Sequence, residues 1–264
     1  MISRSEDYVE YCRETARHLR DIHDLALRGK DKQAVTRRIQ EHILRAVDIR
    51  PDDDLVDVGC GDGTLLRIAQ ERGVRSALGL LATEEEAAIV RKLGLPVRQG
   101  FTDKLPLAEQ SASVVVCNNV LLVVPREKIL PSLREFFRVS KPGARVYVGE
   151  IPLEPGPPPE PVFSTARETL AYIYRQHGLR AWVGMVRRML YWKLTGQPMV
   201  IRGGSTISFF ATPSEFAAMG ESAGLRHVRS WPHEDWPSNR YNYLFRRDEH
   251  SSQASPLPAD PSAS

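Results

Sequence analysis

The sequence predicts an α/β domain built on a seven-stranded, mostly parallel sheet with helices on both faces. Two observations predict it: short apolar runs alternate with helical periodicity along most of the chain, and a glycine-rich turn joins the first such run to a helix. A proline-rich stretch at 152–161 interrupts the alternation and marks an insertion. Val9, Cys12, Ala16, Leu19, His23 and Ala26 recur at three- and four-residue steps, which puts them on one face of a helix over 6–27 closed by Gly29. Val35, Ile39, Ile43 and Leu44 form the stripe of a second helix over 31–47.

Pro51-Asp52-Asp53-Asp54 breaks that pattern, and Leu55-Val56-Asp57-Val58 follows as a strand that stops on glycines and opens a helix at Thr64. The alternation then repeats as strand 77–81, helix 84–93, strands 96–98 and 114–117, helix 131–139 and strand 145–151. Proline donates no N–H and fixes φ, so 152–161 is an extended connection. A helical segment is predicted over 164–195. A further helix over 213–223 has the Thr212 hydroxyl as cap and Pro213 in its first turn. Strands 227–231 and 241–246 flank a turn-rich segment sized for a hairpin. The expected organisation is an N-terminal helical segment over 1–50, a main domain over 51–250 with an insertion at about 152–212, and a disordered Ser/Ala/Pro-rich tail at 251–264.

A chain of 264 residues suits one large core rather than two independent enzymatic domains. Its net charge of +3 is too small to indicate a nucleic-acid surface. Cys12, Cys60 and Cys117 show neither disulfide nor zinc spacing, and no carboxylate and histidine cluster suggests a metal. The first residues lack a secretion signal and no window approaches the roughly 20 apolar residues of a membrane span, so a cytoplasmic protein is expected.

The turn Gly59-Cys60-Gly61-Asp62-Gly63 carries the strongest chemical signal. Glycine permits φ > 0 and close backbone approach, while the helix behind it presents free N–H groups. A dinucleotide fingerprint would need glycine where Thr64 stands, so the spacing, with Asp57 on the strand before it, fits a different ligand. Asp57 also reads as a simple turn-capping carboxylate.

The run Val56-Asp57-Val58-Gly59-Cys60-Gly61-Asp62-Gly63 resembles motif I of the class I S-adenosylmethionine-dependent methyltransferases, of the type 11 kind. Leu105-Pro106-Leu107-Ala108 with the 113–120 stretch, and the 133–148 stretch, resemble later motifs of that family in the same order. The resemblance implies a Rossmann-like fold with a helical lid inserted after strand five and S-adenosylmethionine as cofactor. It places Asp57, Gly59, Cys60, Gly61 and Gly63 at the amino acid end of the cofactor. Leu81 and Ala82 fall after strand two, Phe101 and Thr102 after strand three, and Asn118 and Asn119 where cofactor and substrate meet after strand four. Both asparagines are also ordinary turn formers.

Two positions depart from the family. Leu81 stands where an acidic residue usually accepts the ribose hydroxyls, and Phe101 stands where an aspartate often sits near adenine. Glu84, Glu85 or Glu86 reaches back to the ribose or simply complements the helix dipole. Phe101 covers the adenine face or fills core.

Between 163 and 208, Tyr172, Tyr174, Trp182, Met185, Met189, Tyr191 and Trp192 interleave with Arg167, Arg175, Arg180, Arg187, Arg188, Lys193 and Arg202. Three readings fit: an amphipathic cover with a solvated basic edge, an arginine site for an anionic or phosphate-bearing substrate, or a membrane-surface helix meeting a lipid-linked one. Transfer to oxygen needs a base, and His233, His177 and Glu150 are the candidates. The expected activity is O- or N-methylation of a small molecule, sugar-like, glycan-linked or a secondary metabolite. The alternative is a non-catalytic binding or partner subunit, which Leu81 and Phe101 keep open. An RNA methyltransferase is disfavoured because Asn118-Asn119-Val120-Leu121 replaces the base-stacking motif after strand four.

Overall fold

A computed structural model of the chain describes residues 32–153, 208–233 and 240–249, together with parts of 9–25 and of 166–195. The expected hairpin loop at 234–239 and tail at 251–264 lie outside the described residues. The described strands are β1 (Asp54–Val58), β2 (Ser76–Leu81), β3 (Val97–Gln99), β4 (Ala112–Asn118), β5 (Ser140–Pro152), β6 (Leu225–Pro232) and β7 (Arg240–Arg247). They form one sheet in the order β3-β2-β1-β4-β5-β7-β6, with β1 to β5 paired in parallel and β7 inserted antiparallel between β5 and β6. The helices are α1 (Lys32–Ala46), α2 (Thr64–Glu71), α3 (Glu84–Arg91), α4 (Arg126–Val139), α5 (Ala166–Thr195) and α6 (Pro213–Ser222).

Strand alternation builds two core layers. Val56, Val58, Val115, Cys117, Val146 and Val148 pack with Ile129, Leu133 and Phe136 of α4 and Phe216 of α6. Leu55, Val114, Val116 and Tyr147 pack with Ile43 and Leu44 of α1 and Leu65, Leu66 and Ile68 of α2 on the other side. The central strands are thus buried on both faces, which is why they read as continuous apolar runs. Each fully buried Val, Leu or Phe contributes about 1.5–3 kcal/mol, so the layers together fix the sheet.

Several boundaries differ from the sequence expectation. The predicted helix over 6–27 is not one continuous element, because Ile22–Leu25 is a 3₁₀ turn. The helix expected at 131–139 starts at Arg126, with Pro131 inside it. Proline favours a first turn, which drew the predicted start too late; here it is tolerated in the second turn at the loss of one backbone hydrogen bond. Strand β5 starts at Ser140, ahead of the expected Arg145, with a register shift in its pairing to β4 between Ala112 and Val114. The α6 start has the predicted cap: Thr212 Oγ1 accepts from Glu215 N–H and Glu215 accepts from the Thr212 backbone.

The chain divides into two compact units, Met1–Pro155 with Ile207–Ser264, and Gly156–Thr206. The second contains α5, which breaks at Gly178 (φ 76, ψ −178). No helix among the described residues is long and apolar enough to cross a membrane.

One buried ion pair ties the edge of α1 to the sheet. Arg145, on β5, pairs with Asp53 and donates to the Val47 and Asp48 carbonyls, while Ser113 Oγ donates to the same carboxylate at 2.7 Å. Both charged residues are buried, so removing one partner strands the other without water. Arg145→Ala is expected to lower unfolding free energy in urea by about 3–5 kcal/mol. A loss under about 1 kcal/mol would mean that the network is solvent-relaxed and does not anchor α1.

Candidate functional site

The parallel strands deliver their carboxyl ends to one edge of the sheet, where loops have room to form a cavity. The floor is the turn leaving β1. Leu80 O accepts from both Gly59 N–H (2.8 Å) and Cys60 N–H (3.2 Å), holding the loop against β2. Gly59, Gly61 and Gly63 have φ of 84°, 52° and 75°, the left-handed region that side chains disfavour. A Cβ at Gly59 would lie 2.2 Å from Val120 Cγ2, and one at Gly63 would lie 2.4 Å from Leu95 Cδ1. The glycines are therefore fixed by space as well as by φ. Asp62 Oδ1 accepts from Thr64 N–H at 2.9 Å and caps α2 from within the turn.

Around this floor, Gly59, Cys60, Gly61, Leu81, Ala82, Phe101, Thr102, Asn118 and Asn119 all line one cavity. Glu150 lines it as well. Asp57 and Gly63 are not among its lining residues. Asp57 is buried beneath the turn on the α1 and α2 side, and burial, then the charge of Asp62, pushes its carboxyl up to about 7. Gly63 is packed against Leu95 and Val90 at the start of α2.

Phe101 is 43 % exposed, so it is cavity rim and not core. Thr102 Oγ1 is held by a 2.8 Å hydrogen bond with Ser132 Oγ of α4.

Sequence reasoning missed most of a second polar wall, having named only Glu86 among its residues as a ligand contact. Thr36 and Gln40 of α1, Cys12, and Glu86 of α3 line the same cavity. Glu86 is buried, accepts from Thr83 Oγ1 at 2.8 Å, and has its carboxyl raised, chiefly by burial. Its backbone N–H donates to Oγ1 of Thr83, the N-cap of α3, so backbone and carboxylate of Glu86 both bond the cap residue. Glu86 was legible as one of three acids at a helix start, but no periodicity distinguishes it from its exposed neighbour Glu84. Thr36 Oγ1, Gln40 Oε1 and Asn118 Oδ1 are buried oxygens with no hydrogen-bond partner in the protein. All three belong to residues that line the cavity, and since buried polar atoms are normally paired, such acceptors suit a ligand carrying hydroxyl, amino or ammonium donors.

The far end of the cavity is a charged network. Glu150 is buried at φ 63°, within an irregular stretch of the β5–β7 pairing, and its N–H donates to Asn242 Oδ1 at 3.1 Å. Its carboxylate accepts from Asn118 Nδ2 (3.1 Å) and Arg240 Nη1 (2.7 Å). Arg240 also donates to Asn119 Oδ1 at 3.3 Å. His233 is buried, with Nε2 3.7 Å from Glu150 Oε1, beyond hydrogen-bond length, and it does not line the cavity. His177 lies in α5, in the other unit, and its side chain lies outside the described residues. The structure therefore brings Asn118, Asn119, Glu150 and His233 together and adds Arg240, which no sequence signal selects.

A family described as a methyltransferase domain matches residues 56–148, the span from β1 to β5. A malonyl-[acyl-carrier protein] O-methyltransferase from Serratia marcescens is 31% identical over 111 residues, 42% of this chain and 43% of its own length. A demethylmenaquinone methyltransferase from Chlorobaculum parvum is 30% identical over 139 residues, 52% of this chain and 54% of its own length. The chain thus spans about half the length of the curated relatives it matches. An S-adenosylmethionine-dependent methyltransferase structure from Methanosarcina mazei superposes with a TM-score of 0.53 at 17% identity, covering 78% of this chain and 97% of that one, a likeness of fold.

Two outcomes follow from the floor of the cavity. Gly59→Ala is expected to cost about 2–4 kcal/mol in urea unfolding, from left-handed strain plus overpacking on Val120. Adding Val120→Ala should return the packing share and leave the strain. Equal stability of wild type and Gly59→Ala would show that the loop relaxes freely.

Because Asp57 has a higher pKa folded than unfolded, its neutral form stabilises the protein fully below about pH 4, and that contribution is lost as pH rises through about 7. Unfolding free energy of Asp57→Asn relative to wild type should therefore rise from pH 5 to 7.5. A difference independent of pH would place the Asp57 carboxylate in solvent.

Proposed function

We propose that the chain carries a class I S-adenosylmethionine-dependent methyltransferase domain and that the protein transfers a methyl group to an oxygen or nitrogen of a small-molecule acceptor. The observation that carries this reading is the cavity over the left-handed glycine turn, whose lining residues include Thr36, Gln40 and Asn118, each with a buried oxygen that no protein group satisfies. S-adenosylmethionine supplies an electrophilic methyl on a sulfonium when bound. The residues present fit such a ligand. The Gly59–Gly61 backbone leaves room for close approach, and Asn118 Oδ1 offers an acceptor to an ammonium. Thr36, Gln40 and Glu86 offer acceptors to hydroxyl and amino donors.

Glu86 takes the part that an acid at the end of β2 plays in related domains, where this chain has Leu81. It comes from α3 instead, one turn beyond the loop, and a buried carboxylate accepting a hydroxyl is worth about 1.5–3 kcal/mol. Phe101 at the rim supplies a ring face for the adenine.

The acceptor would enter at the Asn118, Asn119 and Glu150 end. There Glu150 is the group placed to receive a proton, and Arg240 holds its carboxylate in one orientation. His233, 3.7 Å from Glu150 and outside the cavity lining, is not placed to act on the acceptor. Alignment inside a water-poor cavity is the main contribution to a displacement whose charge is spread in the transition state. We place the reaction in the cytoplasm, where the cofactor is made and the three buried cysteines stay reduced. The two curated relatives, one acting on a malonyl-acyl carrier protein and one on demethylmenaquinone, support a metabolite acceptor over a nucleic acid.

Calorimetry with S-adenosylmethionine and S-adenosylhomocysteine tests the reading. Both should bind in the micromolar range, and Glu86→Gln should weaken both about 10- to 100-fold with an unchanged fold. No heat at millimolar ligand would favour a non-catalytic methyltransferase-fold subunit.

A further inference from the structure

We propose that residues 179–195 form an amphipathic helix that docks the protein on an anionic lipid surface, a property separate from methyl transfer because lipid binding requires no cofactor. Gly178 is non-helical and breaks α5, so this segment has its own axis and its own face. Leu179, Val183, Leu190 and Leu194 follow one another at steps of four, seven and four. At 100° per residue they fall within a sector of about 60°. They are exposed at 62 %, 42 %, 55 % and 85 %, far from the burial that a core stripe at helical spacing would show. Such contiguous exposed aliphatic side chains are uncommon on a monomer unless they meet a partner.

The charge of the segment identifies that partner. Residues 178–195 contain Arg180, Arg187, Arg188 and Lys193 and no Asp or Glu. The three arginines occupy the arc beside the leucines, at about 80–180° from Leu179, and Arg187 is exposed. On the opposite flank of the stripe lie Trp182, Met185 and Met189, each half-buried. A cationic arc beside an apolar one, with tryptophan at the flank, is the pattern of a helix lying in a bilayer interface, with the arginines toward headgroup phosphates. The segment is too short and too charged to cross the bilayer.

The test is flotation of the full-length protein with vesicles of phosphatidylcholine, alone or mixed with phosphatidylglycerol. The expected result is partition at least about tenfold greater on the phosphatidylglycerol vesicles, reduced by salt, with a blue shift of tryptophan emission. Leu190→Asp/Leu194→Asp should abolish it, and Arg187→Gln/Arg188→Gln should reduce the anionic preference while leaving the circular dichroism spectrum and Tm unchanged. Should the aspartate pair misfold, Leu190→Ser/Leu194→Ser replaces it. Absence of flotation on the mixed vesicles, or equal flotation of the leucine variants, overturns the proposal. So does a concentration-dependent dimer that the leucine variants dissolve, which would give the stripe to a second copy of the chain.

Discussion

The rest of the structure depends on how the chain leaves β1. A single carbonyl, Leu80 O, receives the N–H groups of Gly59 and Cys60, so the turn is held against β2 before it enters α2. Holding it there requires left-handed backbone at three successive glycines. The space that side chains would have taken is filled by Val120 from the β4 loop and Leu95 from the loop before β3. The turn therefore couples three crossovers of the sheet. It also leaves its upper surface as bare backbone, the one kind of wall that lets a ligand approach peptide groups directly.

The two ends of the cavity solve different electrostatic problems. Near α1 and α3, polar oxygens are buried without protein partners, an arrangement that costs stability and is offset when a ligand donates to them. Near β5 and β7, the buried Glu150 carboxylate is compensated internally by Arg240 and Asn118, leaving Asn118 Oδ1 as the unpaired acceptor of that end. The first end is built to be completed by a ligand and the second to stay in one geometry while a ligand is present. Left-handed backbone at Glu150 and Asn119, neither of them glycine, is strain retained where the second network sits.

Most of the sheet could be read from the sequence because β1, β4 and β5 are buried on both faces and are dominated by apolar residues, with unbroken runs in Val114-Val115-Val116 and Val146-Tyr147-Val148. The start of α4 was not legible. Residues 126–130 carry helical residues, but Pro131 outweighs them locally, while packing of Ile129 and Leu133 decides the matter. At the cavity, the glycines and the loop residues after β2, β3 and β4 were legible because topology alone sends strand ends there. Thr36 and Gln40 were not, since each sits in an ordinary helical sequence and is turned inward only by tertiary packing, which is also what singles out Glu86 from Glu84 and Glu85. Arg240 lay beyond reach for a related reason. Its partner Glu150 is 90 residues away, and only the antiparallel insertion of β7 beside β5 makes them neighbours.

The central claim is that the glycine turn and the unpaired acceptors around it form one ligand site. A crystal structure of the protein with S-adenosylhomocysteine tests it most directly. The account predicts the ligand lying over Gly59–Gly61, with the Glu86 carboxylate and Asn118 Oδ1 within hydrogen-bond distance of its hydroxyl and amino groups. Ligand bound elsewhere, or a cavity closed by the protein's own side chains with Glu86 turned away, would contradict it.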